Sequence, residues 1–242
     1  MTFTSLASSS AGNAYLVEDG NSSLLLECGI SEKELKKRTG FNLSKVAGCL
    51  ITHEHKDHSR AVKKLLDSGI SVYSSYGTAA FLDEGRIKCL EEQQTVLIGS
   101  FAVMAFRTFH DAAEPFGFLI QSMADGERLL FATDTCNIQY RFRDLDLIAI
   151  ECNYDKEILE RSEHLPKKVK DRIKNSHFEM GSCLRFLQEI DSFFEERGLE
   201  SCKKIYLLHL SDACSNEKNF KTFFEKELHK KYQDLEIIIC EK

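Results

Sequence analysis

The chain has 242 residues, a formal net charge of −6, 43% hydrophobic residues and 29% charged ones. This composition can bury a substantial core. The negative balance excludes a general attraction to nucleic acid or anionic membranes, so polyanion binding has to come from a local patch or from bound metal. No stretch approaches the roughly 18 apolar residues of a membrane helix, and the most apolar run, 96–106, is interrupted by Gly99 and Ser100.

The first ten residues, MTFTSLASSS, lack the cationic start and apolar run of an export signal, which predicts a cytoplasmic protein. Nine cysteines are scattered, odd in number and free of CxxC pairs. They read as reduced, largely buried apolar residues rather than a disulfide framework or zinc ribbon. With only Pro115 and Pro166 as prolines, and no low-complexity linker, one domain spanning 1–242 is expected.

In chain order, Tyr15–Val17 and Leu24–Glu27 read as a hairpin turning at Asp19-Gly20-Asn21. Ser31 as N-cap and Gly40 as stop bracket a helix over 32–39. An apolar strand at 46–52 delivers the chain into His53, and Val62, Leu65 and Leu66 place a helix up to Gly69. Further strands are predicted at 71–74, 95–98, 101–107, 116–122, 129–133, 146–151, 204–209 and 235–240. Further helices are predicted at 155–163, 166–174, 180–196 and 216–230. The order implies sheets covered by helices.

The segment ITHEHKDHSR, 51–60, holds three of the chain's eight histidines in a strand-to-helix turn. His53 and His55, two apart, can turn both imidazoles toward one ion, while Asp57 and His58 can face a second. Neutral imidazole and carboxylate suit zinc, manganese or iron and leave positions for water. Three more ligand-type residues end apolar runs: His110 after 101–109, Asp134 after 129–133, and His209 after 204–208.

The HxHxDH pattern, followed by a His, an Asp and a His at strand ends, resembles the metallo-β-lactamase superfamily along the whole chain. SLASSSAGNAYLVE, LLLECGIS, FHDAAEPFGF, ATDT and IECNYD are similar to segments of its YycJ (WalJ) branch, which resembles DNA exonucleases. The resemblance implies an α+β fold, an αββα sandwich of two mixed sheets flanked by helices. It also implies two divalent ions, Zn or Mn with Fe possible. His53, His55 and His110 would hold one ion, Asp57, His58 and His209 the other, and Asp134 would bridge. Glu27 stands where most of the superfamily has an aspartate, and would orient a ligand histidine from behind.

In that chemistry Asp57 orients the attacking water as well as ligating. His177 is read either as proton donor to the leaving oxygen or as a plain capping histidine. His164 and His229 are read as solvated. Lys167, Lys168, Lys170, Arg172 and Lys174, just before His177, are read as a solvated face or as contacts to a phosphate backbone, extended by Arg60, Lys63 and Lys64. The resulting expectation is a phosphodiesterase acting on DNA, 5′-to-3′ exonuclease-like, with no membrane partner and no oligomeric state implied. The alternatives are a small-molecule or cyclic-nucleotide phosphodiesterase and a non-catalytic metal-stabilised binding module.

Overall fold

Parallel strands buried on both faces need nearly continuous apolar runs, and the chain supplies them at 129–132, 147–150 and 205–208. The computed structural model describes residues 1–40, 43–193, 199 and 202–240, with backbone alone for 191–193. Two mixed sheets flanked by helices form, which is the expected α+β class. The described residues make two compact units, 1–107 with 112–127, and 108–111 with 128–240.

The first unit holds a six-stranded sheet in chain order: β1 (Thr2–Ser9), β2 (Gly12–Glu18), β3 (Ser23–Leu26), β4 (Val46–Leu50), β5 (Val72–Ser74) and β6 (Lys88–Cys89). The first three strands are antiparallel and the later pairings parallel. Its core joins Leu25, Cys49, Ile51 and Val72 to Leu35 of helix α1 (Glu32–Arg38) and to Val62 and Leu65. The unit also contains an antiparallel meander, β7 (Thr95–Ile98), β8 (Phe101–Arg107) and β9 (Phe116–Ser122).

One local expectation changes here, and two elements form where none was predicted. The helix predicted up to Gly69 is two, α2 (Lys56–Ser59) and α3 (Val62–Asp67). The break arises because Ala61 N–H donates to the Cys28 carbonyl at 2.9 Å and so leaves the helical ladder. Strand β1 has no clean apolar alternation and is fixed by pairing with β2. Helix α4 (Tyr76–Leu82) has no apolar period to signal it; the Ser75 hydroxyl caps it by accepting from Thr78 N–H at 3.1 Å.

The second unit is built on four parallel strands, β10 (Arg128–Ala132), β11 (Leu147–Glu151), β12 (Lys204–Leu208) and β13 (Glu236–Ile239). Phe131, Ile150 and Leu207 on these strands are fully buried. So are the apolar faces of helix α7 (Met180–Phe193), through Cys183 and Leu187, and of α8 (Glu217–Leu228), through Phe220 and Phe224. Helices α5 (Lys156–Arg161) and α6 (Lys167–Ser176) complete it. Residues 194–196 of the predicted helix 180–196 lie outside the described residues. Among the described residues no helix is long and apolar enough to cross a membrane, and all nine cysteines are free thiols.

The strands stop one or two residues earlier than predicted at the positions that matter. Glu27 follows β3, His53 follows β4, Asp134 follows β10 and His209 follows β12. Glu27, Asp134 and His209 adopt left-handed φ values of 65°, 47° and 53°. Such a conformation costs a non-glycine residue about 1–3 kcal/mol and clusters at functional sites. Here it turns a side chain off the strand end at each place.

Candidate metal centre

In the first unit the four residues of the cluster are held from behind by buried polar contacts. Glu27, fully buried, accepts from Thr52 N–H at 3.2 Å, and its Oε2 lies 3.6 Å from His58 Nδ1. Burial pushes the Glu27 carboxyl up, partly offset by His58 and Thr52. Glu27 thus lies against both His58 and the start of the 53–58 segment. The Thr52 hydroxyl lies 2.9 Å from His53 Nδ1, which leaves His53 Nε2 directed at His55 Nδ1, 3.0 Å away.

His53 and His58 rings lie 4.1 Å apart, and His58 Nε2 lies 3.4 Å from Asp57 Oδ2 and 3.1 Å from Asn13 Nδ2. Gly29 makes this turn possible. A Cβ there would stand 1.5 Å from the Asp57 carbonyl oxygen, so only glycine lets strand β3's exit pass under α2. The Cys28 N–H to His58 carbonyl bond, 2.8 Å, locks the same crossing.

In the second unit His110 Nδ1 lies 2.8 Å from the Ser176 carbonyl, which directs Nε2 toward Asp134 Oδ2 at 3.7 Å and Asp111 Oδ1 at 3.3 Å. Burial pushes the His110 imidazole down, against the pull of Asp134. His209 Nδ1 lies 3.2 Å from Asp134 Oδ1 and 3.1 Å from Glu151 Oε1. Asn153 Nδ2 donates to the His209 carbonyl at 2.8 Å and holds its left-handed turn.

Glu151, absent from the ligand set expected from the sequence, joins this candidate cluster. Fully buried at the end of β11, it accepts on Oε2 from Thr135 N–H at 2.8 Å and Phe178 N–H at 3.1 Å. Its Oε1 meets His177 Nδ1 at 2.6 Å as well as His209. One donor atom each of Asp134, Glu151, His177 and His209 lies within 4.8 Å of the others. The signal is present in the sequence: Glu151 ends the apolar run LIAI, the same criterion that singles out Asp134 and His209.

His177 ends a helix and also carries an ion pair. It caps α6 with its backbone while its side chain, 15% exposed, pairs with Glu151. Burial acts to lower its pKa, but Glu151, helped by Asp134, prevails and raises it to about 9. Burial likewise acts to raise the Glu151 carboxyl, and His177 and His209 outweigh it and hold it low.

The predicted basic patch divides. Arg172 pairs with Asp111 at 2.7 Å, Lys174 pairs with Glu160, and Lys170 donates to the Glu160 carbonyl. On a helix the residues 168 and 172 share one face and 167, 170 and 174 another, so the five cations are not one surface. His164 is exposed as expected. His229 is instead half-buried at the end of α8, with Nε2 2.7 Å from the Leu235 carbonyl.

The donor chemistry fits divalent ions. Two ligands on one tetrahedral zinc stand about 3.3 Å apart, given metal–ligand distances near 2.0–2.1 Å. The pairs His53–His55 at 3.0 Å, Asp134–His209 at 3.2 Å and His110–Asp134 at 3.7 Å bracket that separation. Each histidine's other nitrogen faces an oxygen in the His53 and His110 cases, which fixes the ring.

Comparison with known proteins agrees with this chemistry. A Beta-lactamase superfamily domain matches residues 24–197. The chain is 29% identical over 224 residues to Exodeoxyribonuclease YycJ of Bacillus anthracis, covering 86% of this chain and 82% of that protein. It is 28% identical over 234 residues to Exodeoxyribonuclease WalJ of Streptococcus pneumoniae, covering 86% and 81%. The metallo-beta-lactamase fold protein YhfI of Bacillus subtilis superposes with a TM-score of 0.71 at 16% identity, covering 99% of this chain and 96% of that one.

Proposed function

Because the chain belongs to the beta-lactamase superfamily and is a metal-dependent hydrolase of that fold, we propose that it is a dinuclear phosphodiesterase acting on DNA, in the manner of a 5′-to-3′ exonuclease. The observation that carries the reading is its likeness to two exodeoxyribonucleases along more than four-fifths of each chain. The reading takes 1–242 as one metallo-β-lactamase-fold domain. End-to-end coverage of the Bacillus subtilis structure supports that.

The residues that would hold the ions are His53, His55 and His110 for one, Asp57, His58 and His209 for the other, and Asp134 for both. When bound, such ions supply Lewis-acid charge to the phosphoryl oxygens and activate water at neutral pH. The chain's own groups do the rest. Asp57, one-quarter exposed at the start of α2, orients the attacking water. His177, kept protonated by Glu151 near neutral pH, supplies the proton to the departing oxygen. Glu27 and Ser176 fix the rings of His58 and His110.

The test is hydrolysis by protein purified with Mn²⁺ or Zn²⁺, offered linear duplex DNA, single-stranded DNA, RNA and cyclic nucleotides, with Asp57→Ala as control. DNA degradation lost in the control supports the reading. Turnover of cyclic nucleotides without polymer degradation refutes the nuclease reading, and undiminished activity in Asp57→Ala refutes the site.

A further inference from the structure

A cleft in the first unit opens beside Asp57 and is lined by Ser10, Ala11, Gly29, Lys56, Asp57 and Arg60. We propose that it binds a backbone phosphate of the nucleic-acid strand, with Lys56 and Arg60 as its cations. The identity of the ligand rests on the proposed function; the anion site itself rests on the cleft.

Three segments build its walls, and each is tied down. The turn between β1 and β2 supplies Ser10 and Ala11, and Asn13 just beyond it accepts from Gly29 N–H at 2.8 Å and donates to the Asp57 carbonyl at 3.3 Å. The start of α2 is fixed where the Ser59 hydroxyl donates to the Glu54 and His55 carbonyls at 2.8 and 3.0 Å. The floor stays at backbone thickness because position 29 has no Cβ. A cleft so clamped loses little freedom on binding, which is where preorganised sites gain affinity.

Lys56 and Arg60 are four residues apart, so their stems rise on one side of the α2 turn. Both are exposed, and among the described residues neither pairs with a carboxylate. That differs from Arg86, Arg172 and Lys174, whose charges are taken up by Asp67, Asp111 and Glu160. In a chain of net charge −6, two uncommitted cations and a hydroxyl converging on a cleft give a local attraction that the molecule as a whole lacks. The cleft is open and its cations sit on long arms. That suits a phosphate delivered by a polymer held at further points, rather than a free anion that needs a buried cage. Its border with Asp57 places such a phosphate next to the proposed reacting group, where it holds the strand in register.

The test reads binding separately from cleavage. Anisotropy of a fluorescein-labelled single-stranded DNA is titrated in EDTA from 50 to 200 mM salt with wild type, Lys56→Gln/Arg60→Gln, and Lys218→Gln/Lys226→Gln on α8, a control with the same change of charge. The cleft pair is expected to weaken binding about tenfold at low salt and to flatten the salt slope by about 0.7 for each phosphate no longer neutralised, whereas the α8 pair leaves the slope intact. Arg60→Lys is expected to retain most of the slope. Equal weakening in both double variants, or none in either, overturns the cleft. A wild type that binds DNA with this pattern but leaves it intact when loaded with Mn²⁺ or Zn²⁺ refutes the nuclease reading and leaves the cleft standing. A wild type that neither binds nor cuts refutes both.

Discussion

Replacing Glu151 by Gln changes one buried oxygen to nitrogen and removes the charge on which the His177 proton depends. The amide can still accept from Thr135 and Phe178 N–H through its oxygen, because both bonds fall on the same carboxylate atom. Its NH₂ then faces His177 and His209 and turns their Nδ1 atoms into acceptors. The His177 imidazole, raised to about 9 mainly by Glu151 against its burial, is then left with Asp134 as its remaining acid and with Arg172 opposing protonation. Its pKa is expected below the ordinary value near 6.5. A shift of that size is worth roughly 3 kcal/mol at 1.36 kcal/mol per unit.

The sign follows from a folded pKa raised above the unfolded one. The stabilisation is fully present below about 6.5 and is lost as pH rises through about 9. Denaturant unfolding of metal-free wild type and Glu151→Gln is therefore expected to differ by up to roughly 3 kcal/mol near pH 6 and to converge above about pH 9. Ring-proton NMR would follow His177 directly. On DNA the variant is expected to lose roughly 10²–10⁴-fold in turnover. An unchanged His177 titration, or a stability difference that grows toward high pH, would refute the argument that Glu151 holds this proton.

Gly29→Ala is expected to be severely destabilising, about 3 kcal/mol or more by overpacking against backbone, because its Cβ falls on the Asp57 carbonyl oxygen; thermal melting and metal content should fall together. Glu27→Asp withdraws the carboxylate from Thr52 N–H and His58, and an expected destabilisation of about 1–2 kcal/mol would be read by urea denaturation. Asp57→Ala, at a partly exposed position, should leave the metal-free melting point within about 1 °C, given that surface changes stay near ±0.5 kcal/mol. Chelation should lower the melting temperature of the metal-loaded protein in proportion to RT ln(1 + [L]/Kd), and a chelator-insensitive melt would count against a resident ion.

The apolar strands, most of the helices and the residues that end those strands can be read from local pattern, because burial period and terminating side chains are local properties. HxHxDH, His110, Asp134 and His209 stand out as candidate ligands for the same reason. How buried polar groups are shared depends instead on packing. Glu151 is one strand-end acid among many until two backbone N–H groups and two imidazoles from separate segments meet on it. His177 reads in the sequence as either a cap or an acid; the fold ends α6 on its backbone and sets its imidazole against buried Glu151, a pairing no local pattern announces. The basic run before it reads as one surface, yet Asp111 and Glu160, distant in sequence, take up three of its five cations. Lys56 and Arg60 acquire a cleft only because Gly29 and Asn13 close beneath them. Pattern fixes which face of an element is apolar, whereas the partners of a buried charge depend on which distant segments the packing brings to it.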